Sequence, residues 1–234
     1  MKKRLFCLCL SLCLALCAGC SSTQAQVNRY NASLYVRGVL DETYTGTPPE
    51  EYLRLMDITA EEGKEPFEEN LDAEFSQRVA VRFEIDESFL KNDLRLKFLD
   101  LLETVYAKAS YTVGQATALD GGRYCVEVSV TPVTFFQAAY ADGYQKLRAD
   151  FEKAHPLPDE ERQAKMSASQ IRKANENFER KWAQEVYDYL YARLDAITTG
   201  TEVTKLVLVT PTNGGQYTLS PTDFQDLDDF ILLY

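Results

Sequence analysis

The chain has 234 residues, of which 45% are hydrophobic and 26% charged, and its formal net charge is −11. The apolar content excludes an intrinsically disordered chain, and the acidic balance excludes nucleic acid and anionic lipid surfaces as electrostatic partners. Five of the six cysteines lie within the first 20 residues, so Cys125 is the only one in the body of the chain and no internal disulfide is expected.

The N-terminal residues have the composition of a secretory signal peptide. Lys2, Lys3 and Arg4 precede an apolar run that begins at Leu5 and ends in small residues at Gly19. This run is shorter than the roughly 20 residues that a helix needs to cross the hydrocarbon core, so an uncleaved membrane anchor is disfavoured. We therefore predict that the first 19 residues are a cleaved signal peptide.

The segment Ala18–Ser22 (Ala-Gly-Cys-Ser-Ser) resembles the lipobox of bacterial lipoproteins, although Cys17 stands where leucine is usual. The resemblance implies cleavage before Cys20 and attachment of a thioether-linked diacylglycerol to its sulfur. Residues 20–29 are then expected to form a lipidated tether that holds the protein on the extracytoplasmic face of the cell membrane. A plain secreted protein, cut by the general signal peptidase, is the alternative.

Helical spacing of apolar residues predicts four helices before any strand, at residues 30–46, 47–56, 59–83 and 87–108. Thr59 and Glu62 have the spacing of a capping box, and Asp86 is a suitable N-cap for the fourth helix. The apolar residues of the third helix recur at every fourth position: Phe67, Leu71, Phe75, Val79 and Phe83. In the fourth helix the residues expected in the core are Leu94, Phe98, Leu101, Leu102 and Val105.

Two β-hairpins follow, each around a glycine pair that permits positive φ. The first joins residues 111–119 to 123–130, and its second strand alternates core-facing residues with Cys125 and Glu127. The second joins residues 203–209 to 216–219. The run 206–209 within it is apolar on both faces, which is typical of a central strand.

Helices are also predicted between the hairpins and after the second one. One covers residues 135–154, Asp159 caps a long one that reaches about Ile197, and a last one covers residues 222–233. The predicted fold class is therefore α+β. N-terminal helices precede a small antiparallel sheet built from two hairpins and covered on one face, with a long helical insertion at about 135–199. We predict that residues 30–234 form this single domain.

Three stretches together resemble a family of uncharacterised lipoproteins from Gram-positive bacteria. They are residues 32–46, the hairpin at 111–130, and the closing strand pair with Asp223-Phe224. The resemblance covers most of the chain after the signal and implies a lipid-anchored extracellular domain of unknown function. The order of helices and sheet is also similar to the cystatin-like roll of nuclear-transport-factor-2-like domains, which implies a fold and no activity.

No residue constellation points to catalysis, to a metal ion or to a cofactor. The only histidine, His155, precedes a proline at a helix end, and nothing in the sequence places it beside Cys125. The acidic clusters at 61–69 and 223–229 lie in predicted helices and lack the spacing of a calcium-binding loop. Both glycine pairs join strands to strands, so neither is a phosphate-binding loop. We therefore expect no catalytic residue, no metal site and no cofactor.

Aromatic residues crowd the predicted insertion helix and indicate a candidate ligand-binding surface. Trp182, Tyr187 and Tyr191 lie within ten residues of one another, and the last two are four residues apart, so they share a helix face. Such rings can stack on a sugar or a peptide. Packing of the same rings in the core is the alternative.

The sequence thus predicts a surface-tethered binding or interaction module rather than an enzyme. Its expected partners are the membrane, through the diacylglycerol anchor, and a glycan, a peptide or another envelope protein. Two alternatives stay open: an envelope hydrolase that uses carboxylates, and a structural or assembly factor that acts through the polar helix at 159–170. The oligomeric state does not follow from the sequence.

Overall fold

The structure is a computed structural model that describes residues 2–213 and 215–234, with side chains from Thr23 onward. The side chain of Cys20, the predicted lipid attachment site, and Gly214, which the sequence predicts in the second hairpin turn, lie outside the described part. The helices are α1 (Lys2–Tyr44), α2 (Glu50–Met56), α3 (Glu65–Glu74), α4 (Ala80–Arg82), α5 (Asn92–Tyr106), α6 (Phe135–Ala154), α7 (Glu160–Gln163), α8 (Ala168–Tyr191) and α9 (Pro221–Ile231). The strands are β1 (Ser110–Val113), β2 (Thr117–Ala118), β3 (Tyr124–Thr131), β4 (Val203–Pro211) and β5 (Tyr217–Leu219).

Helix α1 packs on the rest of the domain through one stripe of side chains. Ala32, Val36, Leu40 and Tyr44 recur every four residues, and each is at most 1% exposed. Residues 23–29, which belong to the predicted tether, are helical and mostly exposed, so the first helix begins before the predicted residue 30. Neither proline nor glycine occurs among these seven residues, so nothing in their sequence ends the helix.

The third predicted helix is divided by a turn of π-helix. Thr59 and Glu62 form the predicted capping box, but Pro66 lies in the first turn and α3 begins only at Glu65. Side chains four residues apart in an α-helix drift by about 40° per step, so a stripe at every fourth residue winds around the helix. The wider π turn at Phe75–Val79 offsets part of that drift. All five predicted stripe residues are accordingly at most 6% exposed: Phe67, Leu71, Phe75, Val79 and Phe83.

The fourth predicted helix is preceded by a separate capped turn. The Asp86 carboxylate accepts the Ser88 N–H at 3.0 Å and caps a 3₁₀ turn at Glu87–Phe89, and α5 then starts at Asn92. The residues predicted for its core face are all at most 7% exposed: Leu94, Phe98, Leu101, Leu102 and Val105. The helical period therefore predicts the correct face, although α5 begins later than predicted, at Asn92.

The sheet is antiparallel, with strand order β1–β3–β4–β5, and β2 pairs with β3 on the same side as β1. Both predicted hairpins form, and their turns have positive φ at Gly121, Gly122 and Gly215. Helices α1 and α9 contact β3, and α9 also contacts β4. The inward residues of these strands are buried: Tyr124, Val126, Val128, Val130, Val207 and Val209. These findings confirm the predicted α+β class.

The other face of the sheet is open. The run 206–209 is central, as predicted, because β4 pairs with β3 on one side and with β5 on the other. Only one face of it is covered, however, since Leu206 is 66% exposed. Most other residues with the same outward register carry hydroxyl groups: Ser110, Thr112, Thr117, Ser129, Thr131, Thr204, Thr210 and Thr218. Cys125 also lies on this face, beside Leu208.

The helical insertion begins as predicted with α6 but does not continue as one long helix. Asp159 caps only the short helix α7, and a second N-cap at Ser167 starts α8. The Ser167 side chain bonds the Gln170 backbone N–H, and the Gln170 side chain bonds the Ser167 backbone N–H. This capping box fixes a new helix start, so the prediction of an unbroken helix from 159 to 197 is wrong.

Helix α9 closes the domain at its C-terminal end. The Ser220 side chain caps it and Pro221 occupies its first turn, which is the expected chemistry of a helix start. Leu227 and Ile231 are at most 1% exposed and pack into the core. Within the described residues, no helix combines the length and the hydropathy needed to span a lipid bilayer.

Candidate functional site

Trp182, one of the three aromatic residues predicted to bind a ligand, lies in the core and not on the surface. Its side chain is 0% exposed, and its Nε1–H donates to the backbone carbonyls of Phe83 at 2.9 Å and Glu84 at 3.1 Å. The ring also packs against Tyr144 and Phe151. It therefore joins α8 to the end of α4 and offers no surface to a ligand.

Tyr187 and Tyr191 form an aromatic pair on the outer side of the same helix. Their ring centroids are 5.6 Å apart and the rings are stacked, with an interplanar angle of 26°. Tyr187 is half-buried because its ring also meets the edge of Phe98, whereas Tyr191 is 59% exposed. The pair could contact a ligand mainly through Tyr191, so the predicted stacking surface is much smaller than three rings.

The other residues singled out in the sequence are not brought together. Cys125 is half-buried on the open face of the sheet, and His155 packs its ring against Phe151 at the end of α6, with centroids 4.8 Å apart. Among the residues with described positions, no group of three or more His, Cys, Asp or Glu side chains is arranged to hold a metal ion. These residues therefore do not form a common site.

Two adjoining cavities form a groove between α1 and the first strand. One, of about 450 Å³, is lined by Arg37 and Asp41 of α1, by Thr45 directly after the helix, and by residues 109–113. The other, of about 540 Å³, is lined by Tyr30, Ser33, Leu34 and Arg37 of α1, by Pro49 and Glu51, and by residues 113–115. The cavities share Arg37 and Val113, so they are contiguous. We call them together the edge groove.

The α1 wall of the edge groove is one face of the helix. The lining residues recur at helical spacing over the length of the groove: Tyr30, Ser33, Leu34, Arg37, Asp41 and Thr45. Fifteen residue steps of 1.5 Å make this wall about 22 Å long. The Ser33 hydroxyl accepts the Ala116 N–H at 2.7 Å and so fixes the chain after β1 to the helix.

The opposite wall is the edge of β1 and not one of its faces. Alternate side chains of a strand point to opposite faces, yet five consecutive residues, 109–113, line the first cavity. A cavity that touches every residue in turn must lie along the edge. Because β1 is the terminal strand of the sheet, this edge has no strand partner among the described residues.

The register of β1 shows which backbone groups point into the edge groove. In an antiparallel ladder, every second residue of a strand exchanges backbone hydrogen bonds with its partner. The Gly114 N–H donates to the Glu127 carbonyl at 2.8 Å, so Thr112 and Ser110, two and four residues earlier, are the residues of β1 that are hydrogen-bonded to β3. The N–H and C=O groups of Tyr111 and Val113 consequently point away from β3. No hydrogen bond between described residues occupies them.

Charged side chains in the groove are already paired with neighbours. Asp41 accepts the Tyr111 hydroxyl at 2.7 Å and the Arg37 Nε–H at 3.4 Å, and Glu51 accepts the Tyr30 hydroxyl. Burial, followed by the hydrogen bond to Asp41, raises the pKa of Tyr111, so its phenol stays protonated and donates. This chemistry suits recognition by hydrogen bonds, and it leaves the groove carboxylates engaged as acceptors.

A second polar cluster lies partly buried where α1, α3 and α9 meet. Glu74 is only 6% exposed, and burial raises the pKa of its carboxyl group. Arg78 lies 3.6 Å from Glu74 and 2.8 Å from Asp228, which in turn accepts the Tyr44 hydroxyl at 2.7 Å. This cluster joins segments that are distant in sequence, so we assign it a role in packing.

No protein-family model matches the sequence, and no functionally curated protein matches it. The fold is similar to the crystal structure of YcdA, a candidate lipoprotein from Bacillus subtilis, with a TM-score of 0.52 and 12% sequence identity. The similarity covers 87% of this chain and 56% of YcdA, so this chain spans little more than half the length of that neighbour. At this identity the similarity shows a shared fold. The similarity to the cystatin-like roll stays a prediction.

Proposed function

We propose that the chain is a lipid-anchored, extracytoplasmic binding module and that the edge groove is its binding site. The anchor is supported by the basic and apolar residues before Cys20 and by the Ala-Gly-Cys segment. The similarity in fold to a candidate lipoprotein agrees with it. Two acyl chains on Cys20 would supply a stable anchor without a transmembrane helix.

The observation that carries the binding site is the free edge of β1 inside a groove. Backbone N–H and C=O groups are strong hydrogen-bonding groups, and those of Tyr111 and Val113 face a cavity instead of a neighbouring strand. A ligand with complementary donors and acceptors would therefore gain hydrogen bonds there at little cost to the domain. A hydrolase is less well supported, since the groove carboxylates Asp41 and Glu51 both accept hydrogen bonds from neighbouring side chains.

Metabolic labelling tests the anchor. Cells that produce the chain with Cys20 should incorporate a fatty-acid analogue into it, and cells that produce Cys20→Ala should not. Equal labelling of both chains would contradict lipid attachment at Cys20.

Site-specific photo-crosslinking in the organism that produces the protein tests the binding site. A photo-reactive amino acid replaces Gln115, which is exposed and lines the groove, and a matched chain carries it at Lys153, exposed on α6. We expect a defined adduct from position 115 and none of that mass from position 153. The same adduct from both positions, or none from either, would contradict a ligand in the groove.

A further inference from the structure

We infer that the ligand of the edge groove is an extended polypeptide segment that adds as a further strand to β1, an inference that rests on the proposed binding role of this groove. The free N–H and C=O groups belong to Tyr111 and Val113, which are two residues apart and therefore about 7 Å apart along the strand. An extended peptide repeats its own outward backbone groups at the same interval. The two sets can therefore form up to about four hydrogen bonds in register.

The length of the groove also fits an extended chain. A wall of about 22 Å accommodates six or seven residues at the rise of roughly 3.3 Å per residue of a strand. A helical ligand would not use the free edge, because its backbone groups are already bonded to one another. A sugar would need aromatic platforms, whereas the groove offers a single aromatic ring besides that of Tyr111, the exposed Tyr30.

The side chains of the groove define the chemistry of the peptide. One end carries the apolar side chains of Leu34 and Pro49 beside the carboxylate of Glu51, and the other end is polar, with Asp41 and Thr45. Arg37 and Val113 lie between the two ends. Alternate side chains of an added strand point to the same side. One apolar side chain of the peptide would therefore contact Leu34 and Pro49, and the side chain two residues further along would meet the hydrogen-bonding groups of the polar end. The strong negative charge of the whole chain favours a neutral or basic peptide over an acidic one.

The orientation of single backbone N–H groups supplies a sharp test. The Val113 N–H points into the groove, so Val113→Pro removes a donor that the sheet does not use, and proline is tolerated at such an edge position. Val113→Thr changes the side chain at the same place but keeps the N–H. Thr112→Pro removes a ladder bond to Ser129 and should lower the melting temperature.

Peptides selected from a random dodecapeptide phage library against the full chain in detergent serve as probes. We expect them to bind Val113→Pro at least about tenfold more weakly than Val113→Thr, since a hydrogen bond is lost and the proline ring occupies the edge. Equal affinity of the two variants, or failure of the library to yield any binding peptide, would overturn the inference.

N-methylated probe peptides give a second measurement that needs no folded variant. Alternate N–H groups of an extended peptide point to opposite edges, so only every second one can face β1. Methylation of the nitrogens that face β1 should abolish binding to the natural chain, and methylation of the intervening nitrogens should change the affinity by no more than about twofold. The same loss from every methylated position would also refute strand addition. If either probe test fails while position 115 still yields its photo-adduct, the groove binds a ligand that is not an extended peptide.

Discussion

Truncation of Trp182 should be far more damaging than truncation of Tyr191, nine residues further along the same helix. Trp182 is 0% exposed, contacts the rings of Tyr144 and Phe151, and donates to two backbone carbonyls. Replacing a buried large aromatic residue by alanine costs about 3–5 kcal/mol, and the two carbonyls would lose their donor as well. We therefore expect Trp182→Ala to lower the free energy of unfolding by at least about 4 kcal/mol.

Two matched variants on the same helix set the scale. Tyr191 is 59% exposed, so Tyr191→Ala should cost under about 0.5 kcal/mol. Tyr187 is half-buried against Phe98, so Tyr187→Ala should cost an intermediate amount of about 1–2 kcal/mol.

Urea unfolding of the chain from residue 20 onward, followed by circular dichroism, gives the three values. Circular dichroism is preferred because Trp182 is the only tryptophan, so its variant loses the fluorescence signal. A cost below about 1 kcal/mol for Trp182→Ala, or equal costs for all three variants, would refute the assignment of Trp182 to the core.

Four further predictions follow from single side chains. Burial raises the pKa of Glu74 above its ordinary value of 4.5, so the native state binds the Glu74 proton more tightly than the unfolded chain does. The stability that this proton contributes is complete below about pH 4.5 and is lost as the pH rises through the folded-state pKa. Glu74→Gln should remove this part of the pH dependence of the melting temperature, and an unchanged profile would contradict it. Leu206→Thr should change the free energy of unfolding by less than about 0.5 kcal/mol, because Leu206 is 66% exposed on the open sheet face; a loss above about 2 kcal/mol would show that this face is covered. The melting temperature should not change with dithiothreitol, because Cys125 is free, and a drop of several degrees would reveal a disulfide. Cys125 should also react with a maleimide reagent in the folded chain, since it is half-buried and not enclosed; complete protection would contradict its place on the open face.

Local periodicity was sufficient to predict most of the core. The stripe from Phe67 to Phe83, the alternation in β3 and the glycine turns are all set by neighbours within a few residues, so the sequence contains the information directly. Helix boundaries were less predictable. Ser167 and Gln170 have the spacing of a capping box, as Thr59 and Glu62 do, but the same residues are also compatible with the exposed interior of a long helix; their reciprocal bonds show that a new helix begins there.

Trp182 shows how a residue can be placed on the wrong side of a helix. It stands four residues before Val186 and eight before Leu190, and all three are 0% exposed. That spacing would have placed it on the buried stripe, but the cluster of aromatic residues at 182–191 suggested one common surface. Helical position, and not the chemistry of the ring, therefore decides the burial of Trp182.

The edge groove could not be predicted from the sequence. Its walls come from α1 and β1, and the contact that joins them, between Tyr111 and Asp41, spans 70 residues of chain. Alternation identifies the face of a strand, whereas the edge that stays free depends on the order of strands in the sheet. The cluster around Glu74 could not be predicted for the same reason, since Tyr44 and Asp228 are 184 residues apart.

Amide hydrogen exchange at three neighbouring residues of β1 tests the central claim most directly. In the free chain the Thr112 amide, bonded to β3, should exchange slowly, and the Tyr111 and Val113 amides should exchange fast. Addition of a selected peptide should slow Tyr111 and Val113 by at least about tenfold and leave Thr112 slow. Unchanged exchange at Tyr111 and Val113 in the presence of saturating peptide would contradict strand addition to this edge.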